Sequence, residues 1–557
     1  MFTANSSLNV FWTTITATHY RACAFLMLIA FACLLPGFTT LQPMDRDESR
    51  FAQASKQMVE SGDYVDIRFQ DEARHKKPVG IYWVQSSVVH IAEYLGMPQA
   101  RSTIWLYRIP SLIGALGAVL ATYWASLAVL TRSGALLSAL MLATSVLLSV
   151  EARLAKTDAL LLLCITLTMG TLLRAYIRRD HPLSWLELSA FWGGMAAGIL
   201  IKGPIVVMVA GLAALTLSLW ERSGRWLKAL KPFFGIIVTL ILVSPWFIAI
   251  ALKSSGQFFA ESVGKDMLAK VGSGQEKHGA PTGFYLITFF ATFWPSSIII
   301  AMIAPRLWAL RHEPLIKFGL AWIVPCWLIF EIVPTKLPHY ILPLFPVIAL
   351  VTVRTLQEPA ASFYRWGTKT LSAFIWVIPL IAFSALSVFV WHTEQRLLLS
   401  SLPFIGLALI LAFISWRMII SKRPRDALPI ACLAAIPFSM GVFTGLPTVS
   451  AFRLSPHLAQ AVSDVGCASP RVVTAGYREP SLVFLVGTDL AMRDVTNAAA
   501  FLEGDGCRIA FITNREHDAF QQALQGQSLK PELYRTITGF NKNGGQELDI
   551  KVYVKRD

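Results

Sequence analysis

Continuous apolar runs of 15 to 24 residues, separated by short polar breaks, recur along this chain and fix its solvent. They fall at about 22–41, 108–131, 134–150, 159–176, 186–201, 203–220, 232–251, 282–303, 315–333, 339–354, 370–391, 402–416 and 428–447. A hydrocarbon core of ~30 Å takes about 20 apolar residues per helix. Of 557 residues, 55% are hydrophobic and only 15% charged, against about 25% charged in soluble domains. A transmembrane β-barrel is excluded, because alternating lumen-facing residues never give such runs. The reading is a polytopic α-helical membrane protein with about thirteen crossings.

The net charge of +15 is a topology signal. With the N-terminus cytoplasmic, the short loops of one side hold 18 Lys and Arg and those of the other hold five. Positive loops stay inside, so the orientation follows and nucleic acid is not expected. The first span lacks a small-residue cleavage site and is expected to remain as an anchor. An odd number of crossings then puts the C-terminal tail outside.

Residues 1–447 form the membrane domain and 448–557 a small external α/β domain. In the tail, RVVTAGY, SLVFLVG, RIAFIT, LYRTITGF and LDIKVYV are strand-like. SPHLAQAVSD, NAAAFLEGD and EHDAFQQALQG are helix-like, the first capped by Ser455. Cys23, Cys33, Cys164, Cys326 and Cys432 lie in apolar runs as packing residues. Cys467 and Cys507 lie in the tail, where a disulfide is permitted, although spacing does not show whether they meet.

The first external loop, 42–106, is no simple connector. Between Asp45 and Lys77 it packs eight acidic and seven basic residues into 33 positions. MDRDESRFAQASKQMVESGDY predicts a helix begun by acids and stopped at Ser61-Gly62-Asp63. KPVGIYWVQSSVVHIAEYLG predicts a second, interfacial helix. The loop 252–281 is amphipathic and then Gly-rich, a candidate flexible flap.

Ionisable residues beside a bilayer are costly and mark function. Here they gather at external span ends: Asp47, Glu48 and Arg50; Lys76 and Lys77; Arg153, Lys156 and Asp158; Lys202; Lys336 and His339. Such a set is expected to border one cavity that handles a lipid-borne charged head. Each motif also has an ordinary use: helix capping for Asp47, Glu48 and Asp158, snorkelling for Lys202, and an interfacial aromatic belt for KLPHYILP.

Together these residues resemble a family. DExR at Asp47, Glu48 and Arg50 precedes Lys77, Pro78, Tyr82 and Trp83. Then come Arg108, Pro110 and Ser111; Lys156 and Asp158; Lys202, Gly203 and Pro204; and Lys336, Pro338, His339, Tyr340 and Pro343. Over about residues 22–350 the pattern resembles the bacterial branch of the protein O-mannosyltransferase-like glycosyltransferases of the GT-C fold. Within that branch it is most similar to those that attach 4-amino-4-deoxy-L-arabinose to lipid A. One departure is Val79, where the family's K-P-P stretch has its second proline.

The resemblance implies an inner-membrane enzyme of a Gram-negative bacterium, with its active site and C-terminal domain periplasmic. It takes the aminosugar from undecaprenyl phosphate to a lipid A phosphate, giving cationic lipid A and resistance to polymyxin-like peptides. It implies catalytic roles for Asp47, Glu48 and Asp158. Binding of donor phosphate or substrate falls to Arg50, Lys77, Tyr82, Lys202, Lys336, His339 and Tyr340. No obligatory metal or cofactor is expected, although Glu48, His75, Glu276, His278 and His339 are candidates to hold a divalent cation. The expected partners are the donor lipid, lipid A and membrane lipid, with the chain a monomer. Two rival readings stand beside this one: a related polyprenyl-phosphate-sugar transferase acting on a glycan or protein hydroxyl, and a transporter or flippase for lipid-linked sugars, which would favour inverted repeats and charges at the bilayer midplane.

Overall fold

A computed structural model describes residues 7–44, 46–179, 181–267, 279–359, 367–525, 530–541 and 545–556. Every one of the thirteen apolar runs contains helix. In chain order the first helices are α1 (Ser7–Ile15), α2 (His19–Leu34), α3 (Arg46–Ser61), α4 (Gly80–Tyr94), α5 (Ile104–Ser126), α6 (Arg132–Ala143) and α7 (Val146–Glu151). The bundle continues with α8 (Asp158–Ile177), α9 (Trp185–Lys202), α10 (Ile205–Glu221), α11 (Pro232–Lys253) and the short α12 (Gln257–Phe259). It closes with α13 (Phe284–Thr292), α14 (Ser297–Ala309), α15 (Pro314–Ile332), α16 (Phe345–Thr355), α17 (Thr368–Glu394), α18 (Leu402–Ile420) and α19 (Pro424–Gly445). Among the described residues eight helical segments are long and apolar enough to cross a membrane, and four more apolar helices are shorter. The protein is thus a multi-pass membrane protein. The run at 282–303 is divided into α13 and α14 by a turn at Phe293–Ser296.

Helices in lipid gain little from apolar contact and associate through close packing, which small residues allow. Gly114 on α5 shows this: a Cβ there would lie 2.6 Å from the Leu160 backbone nitrogen of α8. Gly80 at the head of α4 does the same to α9, where a Cβ would sit 2.8 Å from the Leu200 carbonyl oxygen. The two contacts draw the charge-rich first loop down onto the helices that carry Asp158 and Lys202.

That loop folds into the two expected helices, α3 and α4, with a small hairpin of β1 (Arg68–Phe69) and β2 (Glu72–Ala73) between them that was not expected. The region 252–281 begins as α12 and a π-helical turn at Ala260–Met267. Its Gly-rich part, the basis of the flap expectation, falls in 268–278, outside the described residues.

The C-terminal domain is α/β with its own core. β3 (Arg471–Ala475), β4 (Ala491–Met492), β5 (Arg508–Thr513), β6 (Glu532–Asn541) and β7 (Gln546–Lys555) form one sheet of order β4-β3-β5-β7-β6. β4, β3 and β5 run parallel, whereas β5, β7 and β6 are antiparallel. Around it lie α20 (Leu454–Val465), α21 (Pro480–Val486), α22 (Val495–Leu502) and α23 (His517–Gln525). Cys467 and Cys507 form a disulfide.

Two expectations for this domain are corrected. SLVFLVG is the helix α21 and not a strand. A short apolar run does not separate the two by itself, and Pro480 at the first helical turn starts a helix. Leu482, Val483 and Phe484 are all fully buried, so the run is apolar because it is enclosed. Ser455 lies inside α20 and caps nothing; its hydroxyl meets the Tyr477 and Ser481 hydroxyls, each at 2.8 Å.

The domain docks on α3 through α21 and the loop after it. Lys56 donates to the Phe484 carbonyl at 3.1 Å and Gln53 to Thr488 Oγ1 at 2.7 Å, while Thr488 donates to Glu60 at 2.7 Å. Phe484 inserts among Val59, Tyr107 and Ala155, its ring edge-on to Tyr107 at 5.3 Å. Arg46 pairs with Glu479 at 3.4 Å.

Candidate active site

The connection between α7 and α8 holds the central turn. Asp158 begins α8 and Lys202 ends α9, the ends at which a helix dipole favours an acid and a base respectively. Gly203 (φ +72°) stops α9 just past Lys202. The two ends meet, and Lys202 Nζ lies 2.5 Å from Asp158 Oδ1.

Three more groups join this pair. His339, on the 3₁₀ turn Pro338–Leu344, places Nε2 3.7 Å from Asp158 Oδ1 and Nδ1 3.6 Å from Glu151 Oε1. Lys156 Nζ lies 3.8 Å from Glu151 Oε1. Tyr340 sits edge-on to His339 at 5.1 Å, and Lys202 Nζ lies 5.7 Å above the Tyr340 ring. Two carboxylates, two ammonium groups and an imidazole thus share one nearly buried space.

Asp47 opens toward this group from the first turn of α3. Its carboxylate meets Arg50 at 3.2 Å and Arg74 at 4.0 Å, and its side chain is 45% exposed. Partial burial pushes the carboxyl up, but the charges of Arg74, Arg50 and Lys156 outweigh it and hold the pKa below the usual carboxylate value. Asp47 is therefore an anion at neutral pH.

Glu48, one residue on, has no exposure at all. Both of its oxygens bind Arg108, at 2.7 and 3.2 Å, and accept the backbone N–H groups of Ala155 and Met44, each at 3.1 Å. Arg108 spends its remaining donors on the carbonyls of Phe38, Leu41 and Gln42. Glu48, expected to be catalytic, is enclosed by these contacts, which suit a positioning role. Through Ala155, and with Ser111 Oγ donating to the Lys156 carbonyl at 3.1 Å, it fixes the turn that presents Lys156 and Asp158.

Several other expected residues make contacts of their own. Tyr82 is fully buried against Phe51, ring to ring at 5.5 Å, and belongs to the α3–α4 core. Lys336 is turned back to the Val333 carbonyl at 2.9 Å. Lys77 is partly exposed in the turn leading into α4, and Lys76 beside it is exposed. Arg153, expected at the cavity, is buried and ties α7 to its neighbours, donating to the Pro36 and Cys33 carbonyls at 2.7 and 2.6 Å. Its guanidinium stacks 3.8 Å from the Phe443 ring.

Among the described residues, the cation-holding set read from the sequence does not assemble. Glu48 is committed to Arg108. His75 pairs with Asp66 at 2.8 Å and faces Glu261 at 3.7 Å. Glu276 and His278 lie outside the described residues. The structure instead brings His339 to Glu151 and Asp158, with ligand atoms within 4.8 Å of one another. Glu151 escaped the sequence reading, although a carboxylate closing the apolar run VLLSVE was the signal, since an acid there is costly without a purpose. Arg74 was hidden among the many charges of its loop.

Comparison with known proteins agrees with this geometry. Residues 76–248 match the family described as Dolichyl-phosphate-mannose-protein mannosyltransferase. An uncharacterized protein of Aquifex aeolicus is 28% identical over 346 residues, covering 62% of this chain and 65% of its own. The undecaprenyl phosphate-alpha-4-amino-4-deoxy-L-arabinose arabinosyl transferase of Erwinia tasmaniensis is 26% identical over 332 residues, 59% of this chain and 57% of its own. The match thus spans less than two thirds of these relatives. Among solved structures, ArnT from Cupriavidus metallidurans bound to undecaprenyl phosphate superposes with a TM-score of 0.73 at 18% identity, over 99% of this chain and 98% of that one. The fold is that of a multi-pass membrane protein with the GT-C architecture. Residues 76–248 are similar to that mannosyltransferase family, and the whole chain carries the fold seen in ArnT.

Proposed function

We propose that this chain is a membrane glycosyltransferase that moves 4-amino-4-deoxy-L-arabinose from undecaprenyl phosphate to a phosphate of lipid A, on the periplasmic side of a Gram-negative inner membrane. The observation that carries the reading is the group of Lys156, Lys202, Asp158, Glu151 and His339 at the loop-rich end of the bundle, with Asp47 opening toward it. The named relatives and the ArnT fold point the same way.

In this reaction the bond between the sugar's anomeric carbon and the donor phosphate oxygen breaks. Its electron pair stays on undecaprenyl phosphate, and an acceptor phosphate oxygen bonds to that carbon. Cations placed where the leaving oxygen gains charge stabilise the transition state. Lys202 serves here, joined by Lys156 and, from the loop side, Arg50 and Lys77. Asp158 and Glu151 hold the two lysines in place and offer anionic contacts to the sugar's ammonium group. His339 and Tyr340 border the same space, and Lys336 stays near through the chain it braces. The acceptor phosphomonoester is largely ionised at neutral pH, its second pKa being about 6, so it requires no strong base. Asp47 then orients Arg50 and Arg74.

Lysines supply the positive charge, so no obligatory metal enters the proposal. Incubation with EDTA is expected to leave turnover within about twofold, and a loss restored by a divalent ion would assign that ion to Glu151, Asp158 and His339. The central test is mass spectrometry of lipid A from a Gram-negative host that makes the donor but lacks its own transferase. The native chain is expected to add an aminopentose, and Asp47→Asn and Lys202→Ala to reduce the addition strongly. Unmodified lipid A with the native chain in the membrane would overturn the proposal.

A further inference from the structure

About 26 Å of helix separates Trp185, at the start of α9, from Lys202 at its end. Between α8, α9, α10 and α11 lies an apolar cavity of about 310 Å³. Its end farthest from Lys202 is formed by Trp192 of α9, Ile236 of α11, and Leu227 and Leu230 of the 3₁₀ turn Arg225–Leu230 that joins α10 to α11. On the α11 side the cavity is open, since Ile236 is 51% and Leu240 59% exposed. The turn is firmly held. Trp226 and Leu230 are buried, Trp226 lies edge-on to Tyr176 at 5.5 Å, and Trp192 Nε1 donates to the Leu230 carbonyl at 2.8 Å.

Four exposed cations stand on and beside this turn: Arg222, Arg225, Lys228 and Lys231. Among the described residues no carboxylate pairs with any of them. The acids at the adjoining helix ends are already taken, Glu187 by Arg174 and Arg178 at 3.2 and 3.3 Å, and Glu221 by Arg179 and Lys317 at 3.1 and 2.6 Å. Lys231 Nζ lies 4.2 Å above the ring of Trp185, which is 65% exposed and edge-on to Phe234 at 6.2 Å. Exposed tryptophans at helix ends mark a membrane–water interface. Positive charge without counter-charge thus adjoins an apolar cavity that opens sideways. We infer that this is a binding site for an anionic phospholipid, its headgroup phosphate held by Arg225, Lys228 and Lys231 and one acyl chain lying in the cavity. Charge complementarity names the occupant. Basic pockets between membrane helices on the cytoplasmic side take anionic headgroups, and a zwitterionic lipid would leave the excess charge unanswered. The length of α9 separates this lipid from the sugar donor at Lys202. Its origin in the cytoplasmic leaflet rests on the orientation proposed above.

Native mass spectrometry of the full chain in detergent tests this, with titration by dioleoylphosphatidylglycerol or by dioleoylphosphatidylcholine. The native chain is expected to hold one phosphatidylglycerol with a Kd about 100-fold below that for phosphatidylcholine, at about fivefold for each cation near an anionic headgroup. Arg225→Gln/Lys228→Gln/Lys231→Gln is expected to bring the two Kd values within threefold of each other. Lys369→Gln/Arg417→Gln/Lys422→Gln removes three cations from other loops of the same side and is expected to keep the native ratio. Gly211 lines the cavity, and a Cβ there meets no atom within 4 Å. Gly211→Leu is expected to weaken both lipids about tenfold, the scale at which a hydrophobic pocket registers small changes of shape. Should it fail to accumulate, Ala214→Leu probes the same wall. A native ratio below threefold, or equal losses in the two triple variants, would overturn the site and leave only the general attraction of a basic face. Native affinities in the cavity variants would overturn the seat of the acyl chain. Binding requires no sugar transfer, so these outcomes stand apart from the proposed reaction. Ser223→Cys, on the same turn, is expected to resist a membrane-impermeant maleimide in spheroplasts; labelling there would overturn the proposed orientation and the choice of leaflet, and leave the lipid site standing.

Discussion

Asp47 and Glu48 are neighbours in sequence on the first turn of one helix, and their surroundings are opposite. A step of one residue turns a helix by about 100°. On α3 that step separates a partly exposed carboxylate, shared loosely between Arg50 and Arg74, from one sealed completely with Arg108. A buried ion pair survives only when every donor and acceptor is satisfied, and the Glu48–Arg108 pair meets that condition through five backbone groups. Such a pair has nothing left to offer a substrate. The looser cluster of Asp47, Glu151, Asp158, Lys156 and Lys202 has ion pairs from 2.5 to 4.0 Å, which a phosphate or an ammonium can exchange. Charge density alone does not make a site; how tightly each charge is enclosed decides.

The largest effect should come from breaking the sealed pair. Glu48→Ala strands a fully buried guanidinium, a loss of about 3–5 kcal/mol, large against the total stability of most proteins. Size-exclusion profiles in detergent are expected to show mostly aggregate. If Glu48→Ala remained monodisperse with a native melting temperature and lost only turnover, Glu48 would belong to the chemistry and the contrast with Asp47 would vanish.

Next in size is the open cluster. Lys202→Ala and Asp47→Asn should fold normally and lose turnover, Lys202→Ala by about 100-fold, the scale of losing one electrostatic stabiliser. Rates from purified protein, set beside melting temperatures, check both halves of this expectation. Nearly full turnover in Lys202→Ala would remove it from the leaving-group role.

The pH response sharpens the same contrast. Nearby cations hold the Asp47 pKa below the ordinary carboxylate value. Its ion pairs are therefore intact across neutral pH and weaken only as pH falls through that lowered pKa. Between pH 5.5 and 8, Asp47→Asn should lower kcat without changing the shape of its profile. A base-like limb in the native profile that disappears in Asp47→Asn would mean that Asp47 titrates as a general base, as a hydroxyl acceptor would require.

Much of this was legible in the sequence, for reasons particular to a membrane. Backbone groups in lipid must be satisfied within the helix, so apolar runs read directly as helices, and all thirteen contain helix. The gathering of Lys156, Asp158, Lys202 and His339 was readable because ionisable groups at span ends are costly. The division of labour between Asp47 and Glu48 was not readable, because it depends on which face of α3 meets Arg108 and the turn at Ala155. α21 was missed because burial on every side erases the periodicity that tells helix from strand.

The smallest effect should come from the other charge on the turn that carries Asp47. Arg46 pairs with Glu479 of the C-terminal domain at 3.4 Å, with the arginine side chain 41% exposed. Glu479 itself is buried, but the contact to a solvent-screened arginine is long, and such a pair contributes about 1 kcal/mol or less. Docking on α3 rests instead on Phe484, fully buried among Val59, Tyr107 and Ala155, and on the Lys56, Gln53 and Glu60 contacts around it. Glu479→Gln keeps the side-chain volume and should shift the melting temperature by about 2 °C or less, given what a change below 1 kcal/mol does in a large chain. Turnover should stay within about twofold, because Asp47 takes its orientation from Arg50 and Arg74. A rate loss as large as that of Asp47→Asn, at unchanged stability, would instead make the C-terminal domain an electrostatic partner of the site through Arg46. The boundary between sealed support and open chemistry would then have to be drawn around Glu479 as well.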